Sequence, residues 1–224
     1  MRLNPFEFAL MNNLVRAASQ RWIEAPLLIG RRGVLAGQQV LEIGCGRGVG
    51  LEILLDFGAA EVMGLDIDPR MIRMAQERLA DTGGRARSEV GDAEAIQAPH
   101  AVFDSVFDFG IVHHVPHWSK ALREVGRVLK AGGTFYFEDI LRGLATLWPA
   151  RILFDHPQTS QFSGGEFRSG LEEAGLSLSA WRQWDGWAVM GRARRTLSED
   201  ARAGQWEVKA GLAPPGPAQV RAGF

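Results

Sequence analysis

Cysteine occurs once among the 224 residues, at Cys45, which excludes an intrachain disulfide framework and suits a reducing compartment. A small buried filler is the expected role of that thiol. An excess of charge of either sign is also lacking. Lys and Arg total 25 against 26 Asp and Glu, a formal net charge of -1, so no global field draws the chain to nucleic acid or an anionic membrane. No apolar run is long enough to span a bilayer. The first residues, "MRLNPFEFALMNNLVRAASQRW", interrupt their apolar positions with polar and charged ones, unlike a signal peptide. These absences lead to the expectation of a soluble cytoplasmic protein with no nucleic-acid partner. Peripheral membrane contact and oligomeric state stay open.

What is present is an alternation of strand and helix signals. Residues 6 to 23 space apolar groups at helical intervals, and Pro26 is expected to end that helix. "QVLEIG" reads as a strand, "VGLEILLDFG" as a helix ending near Gly58, and "EVMGLDI" as a second strand. "PRMIRMAQERLADTG" begins a helix at Pro69, for which Asp68 suits the N-cap. "ARSEVGDA" and "FDSVFDFGIVHH" supply two more strands. "WSKALREVGRVLKAGG" reads as a helix capped by Gly132 and Gly133, and "TFYFEDI" as a fifth strand. After a helix in "GGEFRSGLEEAGL", two strands flank an Asp185-Gly186 turn, a strong hairpin signal. The fold class is therefore α/β: a mainly parallel sheet covered on both faces and closed by an antiparallel C-terminal hairpin. The division expected is a helical cap over 1–37, a nucleotide-type domain over 38–195 with an insertion at 141–162, and a loose Ala/Gly/Pro-rich tail over 196–224.

The stretch "QQVLEIGCGRGVGLEILL", residues 38 to 55, is the most informative. Strand, glycine turn and helix place bare backbone and a helix N-terminus against a ligand. The spacing Glu42-x-Gly44-x-Gly46-x-Gly48 does not complete the dinucleotide pattern, because Val49 stands where its third glycine is needed. Glu42, inside the strand, would also repel a pyrophosphate. The expected ligand thus carries no diphosphate. Asp66 ends the second strand about twenty residues on, where a carboxylate accepts from both hydroxyls of a ribose. Ile67 is placed to lie on an adenine, and Gly91-Asp92-Ala93 offers an acid for an exocyclic amine and a backbone N–H for a ring nitrogen.

In this order and spacing the chain resembles the class I S-adenosylmethionine-dependent methyltransferases, small-molecule branch, of the ubiquinone/menaquinone-biosynthesis type. "VLEIGCGRGVG" (40–50), "VMGLDIDPRMI" (62–72), "SEVGDAEAI" (88–96), "FDSVFDFGIVHHV" (103–115) and "EVGRVLKAGGTFYFED" (124–139) carry the resemblance, which extends over about 38–195. It implies a seven-stranded sheet with a reversed last strand, S-adenosyl-L-methionine as cofactor and a small acceptor as partner. It also implies site roles. Gly44 and Gly46 would let backbone pass against the methionine part. Glu42 would orient the loop or meet the ammonium through water. Asp66 would hold the ribose, Ile67 and Met71 would flank adenine, and Asp92 with Ala93 would read its edge. Backbone near Phe109 would accept from the ammonium, and Asp108 would either bind that group or point elsewhere.

"HHVPHW" sets His113, His114 and His117 close together, but Pro116 denies them a regular helix and no carboxylate stands at ligand spacing, so no metal is expected. His113 and His114 are the candidate general bases, followed by Glu138. A histidine that only bonds loop backbone is the bland alternative for each. Residues 1–25 and 141–162, with Trp22, Trp148 and Phe154, are expected to cover the cofactor and line a hydrophobic or aromatic acceptor site. Trp181, Trp184 and Trp187 are expected to pack against helices, and Arg70 to Arg87 to form a solvated face. Rival functions are a sensor that binds S-adenosylmethionine and docks a partner, an aminopropyl transferase and, last, an NAD oxidoreductase.

Overall fold

A computed structural model describes residues 13–145 and 161–196. The expected tail beyond residue 196, most of the 141–162 insertion with Trp148 and Phe154, and residues 1–12 of the cap lie outside the described residues.

Seven strands form one sheet in the order β3-β2-β1-β4-β5-β7-β6. They are β1 Gln39–Ile43, β2 Glu61–Asp66, β3 Ala86–Val90, β4 Phe103–Phe109, β5 Leu129–Ile140, β6 Leu176–Trp184 and β7 Ala188–Arg195. β1 to β5 pair in parallel, while β7 runs antiparallel to both β5 and β6. The sheet order reverses at β1, whose neighbours are β2 and β4. Beyond the carboxyl ends of those strands lies the crevice where open α/β sheets bind ligands.

The first helix, α1, joins Leu14–Ser19, Gln20–Glu24 and Ala25–Ile29 without a break. The expectation that Pro26 ends it is corrected. Gln20–Glu24 is a π turn in which Ala25 N–H donates to Gln20 C=O. The widened turn takes up the register lost at a residue with no N–H, and the helix runs on to Gly30. α2 (Val49–Asp56) and α3 (Pro69–Leu79) follow β1 and β2, and Asp68 caps α3 by accepting from Arg70 N–H. α1, α2 and α3 pack on one face through Leu28, Ile29, Leu51, Leu54, Ile72 and Ala75.

On the other face lie α4 (Trp118–Val128), α6 (Gly164–Glu173) and the turn around Ala93 and Ile96. The short α5 (Arg142–Ala145) follows β5. Alternate strand residues serve the two cores, as a period of two requires: Val106, Phe135 and Phe137 face α4 and α6, and Phe107, Phe109 and Tyr136 face α1. Gly132 and Gly133 do not cap α4, a second correction. The chain turns extended at Leu129, and both glycines lie inside β5, with Gly132 at φ +77°. A Cβ on Gly133 would press on the Asp104 carbonyl at 2.9 Å, so close strand approach fixes that position. Of the hairpin tryptophans, Trp181 packs on Phe137 and Phe167, but Trp184 and Trp187, beside the Asp185-Gly186 turn, are exposed, which corrects the expectation that they pack against helices.

Candidate functional site

One cavity opens at the carboxyl ends of β1, β2 and β4. Its wall includes Glu42, Gly44, Gly46, Asp66, Ile67, Met71, Asp92, Ala93 and Phe109, so sequence reasoning assembled residues from four segments that the fold brings to one surface. His114 is on the wall too. His113 is not. It is buried beneath, where its N–H and Nδ1 meet the Asp139 carboxylate and its ring lies 4.0 Å from that of His114. His117 is turned outward, 75% exposed, with Nδ1 2.9 Å from Glu94. The three histidines of "HHVPHW" therefore occupy three different environments, and among the described residues no His, Cys, Asp or Glu trio is placed to hold a metal ion.

The loop after β1 shows what each glycine is for. Gly44, Gly46 and Gly48 all have positive φ, at +66°, +51° and +84°. A Cβ on Gly44 would fall 2.5 Å from the Ile111 side chain, so that glycine admits protein. A Cβ on Gly46 meets nothing within 4 Å, so that glycine leaves the cavity clear. Gly50, in the first turn of α2, makes room for the Glu42 carboxylate, which a Cβ there would overlap. Sequence reasoning gave Gly44 and Gly46 one shared purpose; the structure gives them two.

Asp66 braces this loop. Its Oδ2 accepts from Gly46 N–H at 3.0 Å and its Oδ1 from Asp68 N–H at 2.8 Å. Each oxygen keeps a further lone pair for a ligand hydroxyl. Burial pushes the Asp66 carboxyl above the ordinary Asp range, and the two N–H bonds pull it back. Asp92 is held in its own turn, accepting from Glu94 N–H at 2.8 Å.

The deeper wall has an excess of acid. Glu42 is 2% exposed, its Oε2 has no hydrogen-bond partner, and burial followed by the charges of Asp66 and Asp108 raises its pKa well above 4.5. Asp108 points away from the cavity, its Oδ1 accepting from Gly110 and Ile111 N–H at 3.0 and 2.8 Å. Burial and the neighbouring Asp139 charge push Asp108 well up as well. Its Oδ2 meets no N–H donor, and burial together with the nearby Asp139 disfavours the charged form of both carboxyls. Glu138 is raised to about 9, first by burial and then by its bond to Glu24. Arg16 pairs with Glu24 and lies 3.8 Å from Glu138.

Residues that sequence reasoning did not assign to the site come from α1, where Arg16, Ala17 and Gln20 line the cavity, and from the segment after β4, with Ile111, Val115 and Pro116. Arg47 ties α1 to the glycine loop by donating to the Asn13 carbonyl at 2.9 Å. Cys45 is buried, and burial raises its thiol well above the ordinary range, which removes it as a nucleophile.

The methyltransferase domain family matches residues 41–137. Over those residues the chain is similar to the class I S-adenosylmethionine-dependent methyltransferases. It is 31% identical over 123 residues to the ubiquinone biosynthesis O-methyltransferase of Thiobacillus denitrificans, covering 54% of this chain and 50% of that protein. It is 34% identical over 149 residues to the ubiquinone/menaquinone biosynthesis C-methyltransferase of Bordetella parapertussis, covering 64% and 56%. The chain thus spans about half the length of the curated relatives it matches. A Haloferax volcanii protein solved in complex with the Trm112 methyltransferase activator superposes with a TM-score of 0.70, over 83% of this chain and 96% of that one, at 20% identity, which speaks for the fold alone. S-adenosyl-L-methionine is the cofactor of this family, and the cavity fits it. The unpartnered buried Oε2 of Glu42 calls for a positive group, the open face of Gly46 admits a main body, and Asp66 offers its remaining lone pairs to hydroxyls. Among the described residues no helix is long and apolar enough to cross a membrane.

Proposed function

We propose that the protein transfers a methyl group from S-adenosyl-L-methionine to a small hydrophobic or aromatic acceptor. The observation that carries this reading is the buried, unpartnered Glu42 carboxylate on a cavity that also displays Asp66 and the bare Gly46 backbone. An uncompensated acid of this kind costs stability in the free protein and is repaid when a cation arrives.

The residue roles are part of the proposal. Asp66 takes the ribose hydroxyls, Ile67 and Met71 enclose the adenine, and Asp92 with Ala93 N–H reads its edge. Glu42 faces the positive end, and backbone at Phe109 accepts from the ammonium. The bound cofactor supplies an already activated methyl group on sulfur. The protein then has to align the acceptor behind that methyl and exclude water, which contributes about 7–11 kcal/mol of barrier reduction in well-oriented systems. We assign that enclosing role to residues 1–25 and 141–162, around a core domain of 38–195. Arg16, Ala17 and Gln20 already stand on the cavity wall and support it.

His114, on the wall, is the group best placed to take a proton from the acceptor. His113, locked on Asp139, and Glu138, locked on Glu24 and Arg16, are positioning residues. The test is incubation with methyl-labelled S-adenosylmethionine and cell extract. Label in a small organic-soluble product supports the reading. Tight S-adenosylmethionine binding without label transfer would instead make the protein a sensor. His114→Ala should lower turnover about 10²-fold or more, the low end for a general base, while leaving S-adenosylhomocysteine affinity intact. Loss of affinity would make His114 structural.

A further inference from the structure

The sheet has two edges, and they are built differently. β6 is nine residues long, and its pairing with β7 is irregular at Leu178/Ala180. Such a bulge twists an edge away from new partners. β3 is five residues long and pairs with β2 in unbroken register. Val62 N–H donates to Arg85 C=O at 2.8 Å and Gly91 N–H to Asp66 C=O at 3.0 Å, so odd-numbered residues turn their backbone inward to β2. Ala86, Ser88 and Val90 consequently turn theirs outward. The nearest cover is Gln76 Nε2, 3.3 Å from the Ser88 carbonyl.

The side chains along this edge are unspent. Arg87, Glu89 and Val90 are all exposed, and neither Arg87 nor Glu89 is in an ion pair among the described residues. Both project to the face where the β3–β4 connection returns without a helix, leaving a groove lined by Met63, Arg85, Arg87, Gln97 and Phe103.

We propose that β3 pairs antiparallel with β3 of a second copy of this chain, about a two-fold axis through Ser88. That register sets Ser88 against Ser88 and Ala86 against Val90, all with outward-facing backbone, so every free N–H meets a carbonyl. It sets Arg87 of one copy opposite Glu89 of the other, twice, in the closer non-hydrogen-bonded pairs. Moving the axis to Arg87 would oppose arginine to arginine, and moving it to Glu89 would oppose glutamate to glutamate. The charge pattern therefore selects one symmetric register, and the two sheets become one continuous sheet. The cavity begins just past the carboxyl end of β3, where Gly91, Asp92 and Ala93 line it, so a ladder confined to residues 86–90 leaves those lining residues outside the new pairing.

Sedimentation velocity from low to high micromolar protein tests this. The wild-type chain should dimerise with concentration. Arg87→Glu should weaken the dimer about tenfold or more, because two attractive cross-strand pairs become repulsive, and Glu89→Arg should do the same. The double variant R87E/E89R rebuilds both pairs and should dimerise like wild type. Melting temperature and S-adenosylhomocysteine binding should not change in any of them. A chain that stays monomeric throughout, a dimer indifferent to Arg87→Glu, or a double variant that remains weak would each overturn the proposal.

Discussion

The floor of the cavity and its deep wall do different things with the same kind of residue. On the floor, at the ends of β1 and β2, Asp66 has a donor on each oxygen, and glycines clear the space beside it. At the deep wall, Glu42 faces the cavity and Asp108, Glu138 and Asp139 lie behind it at the ends of β4 and β5, with burial pushing all four upward in pKa. The floor is complete before any ligand arrives. The wall gathers buried acids whose charged forms burial disfavours, the arrangement expected where a cation will arrive to offset them.

Removing the floor carboxylate should have the largest effect. Asp66→Ala takes away two ligand bonds of about 1.5–3 kcal/mol each as well as the brace on Gly46, so S-adenosylhomocysteine affinity by calorimetry should fall at least about a hundredfold. On the wall, Glu42→Gln should weaken S-adenosylmethionine binding about tenfold, the lower range for one charge-assisted contact, while the melting temperature of the free protein holds or rises. A fall in both would mean that Glu42 is structural.

The two loop glycines sharpen the same contrast. Gly44→Ala forces a Cβ to within 2.5 Å of Ile111 and should cost about 1–3 kcal/mol of stability in denaturant melts. Gly46→Ala meets no neighbour, so it should lose ligand affinity by more than it loses stability.

The smallest effect is on pH dependence. Glu138 has an ordinary pKa of 4.5 and a folded value of about 9. Between those limits the folded chain holds a proton that the unfolded chain has released, so stability falls as pH rises through the window. Asp139 adds the same sign between 3.8 and about 7. Glu138→Gln should therefore flatten the loss of stability on the alkaline side of neutrality, read by melting temperature against pH.

The same two regions differ in how much of them could be read from the sequence. The floor was legible because its residues sit at fixed short spacings around strand ends: Gly44 to Gly50 around one turn, Asp66 to Met71 around the next, Asp92 and Ala93 in a third. Strand order then carries all of them to one edge of the sheet. On the wall the acids Glu42, Asp108 and Glu138 were visible, but their partners were not. Arg16 meets Glu138, and His113 meets Asp139, across long sequence separations that no local pattern encodes. Pro26 misled for a related reason: a π turn upstream absorbs its missing donor, which propensity alone does not foresee. Gly132 and Gly133 read as a helix cap because nothing nearby announces the contact with Asp104 that places them in a strand.

The most direct test of the account is titration of the protein with S-adenosylmethionine near neutral pH, by calorimetry in two buffers of different ionisation enthalpy. A cation arriving beside Glu42 lowers its pKa and expels the proton held there, so the heat should depend on the buffer, with protons released on binding. Heats that are identical in both buffers, or no heat with either S-adenosylmethionine or S-adenosylhomocysteine, would contradict it.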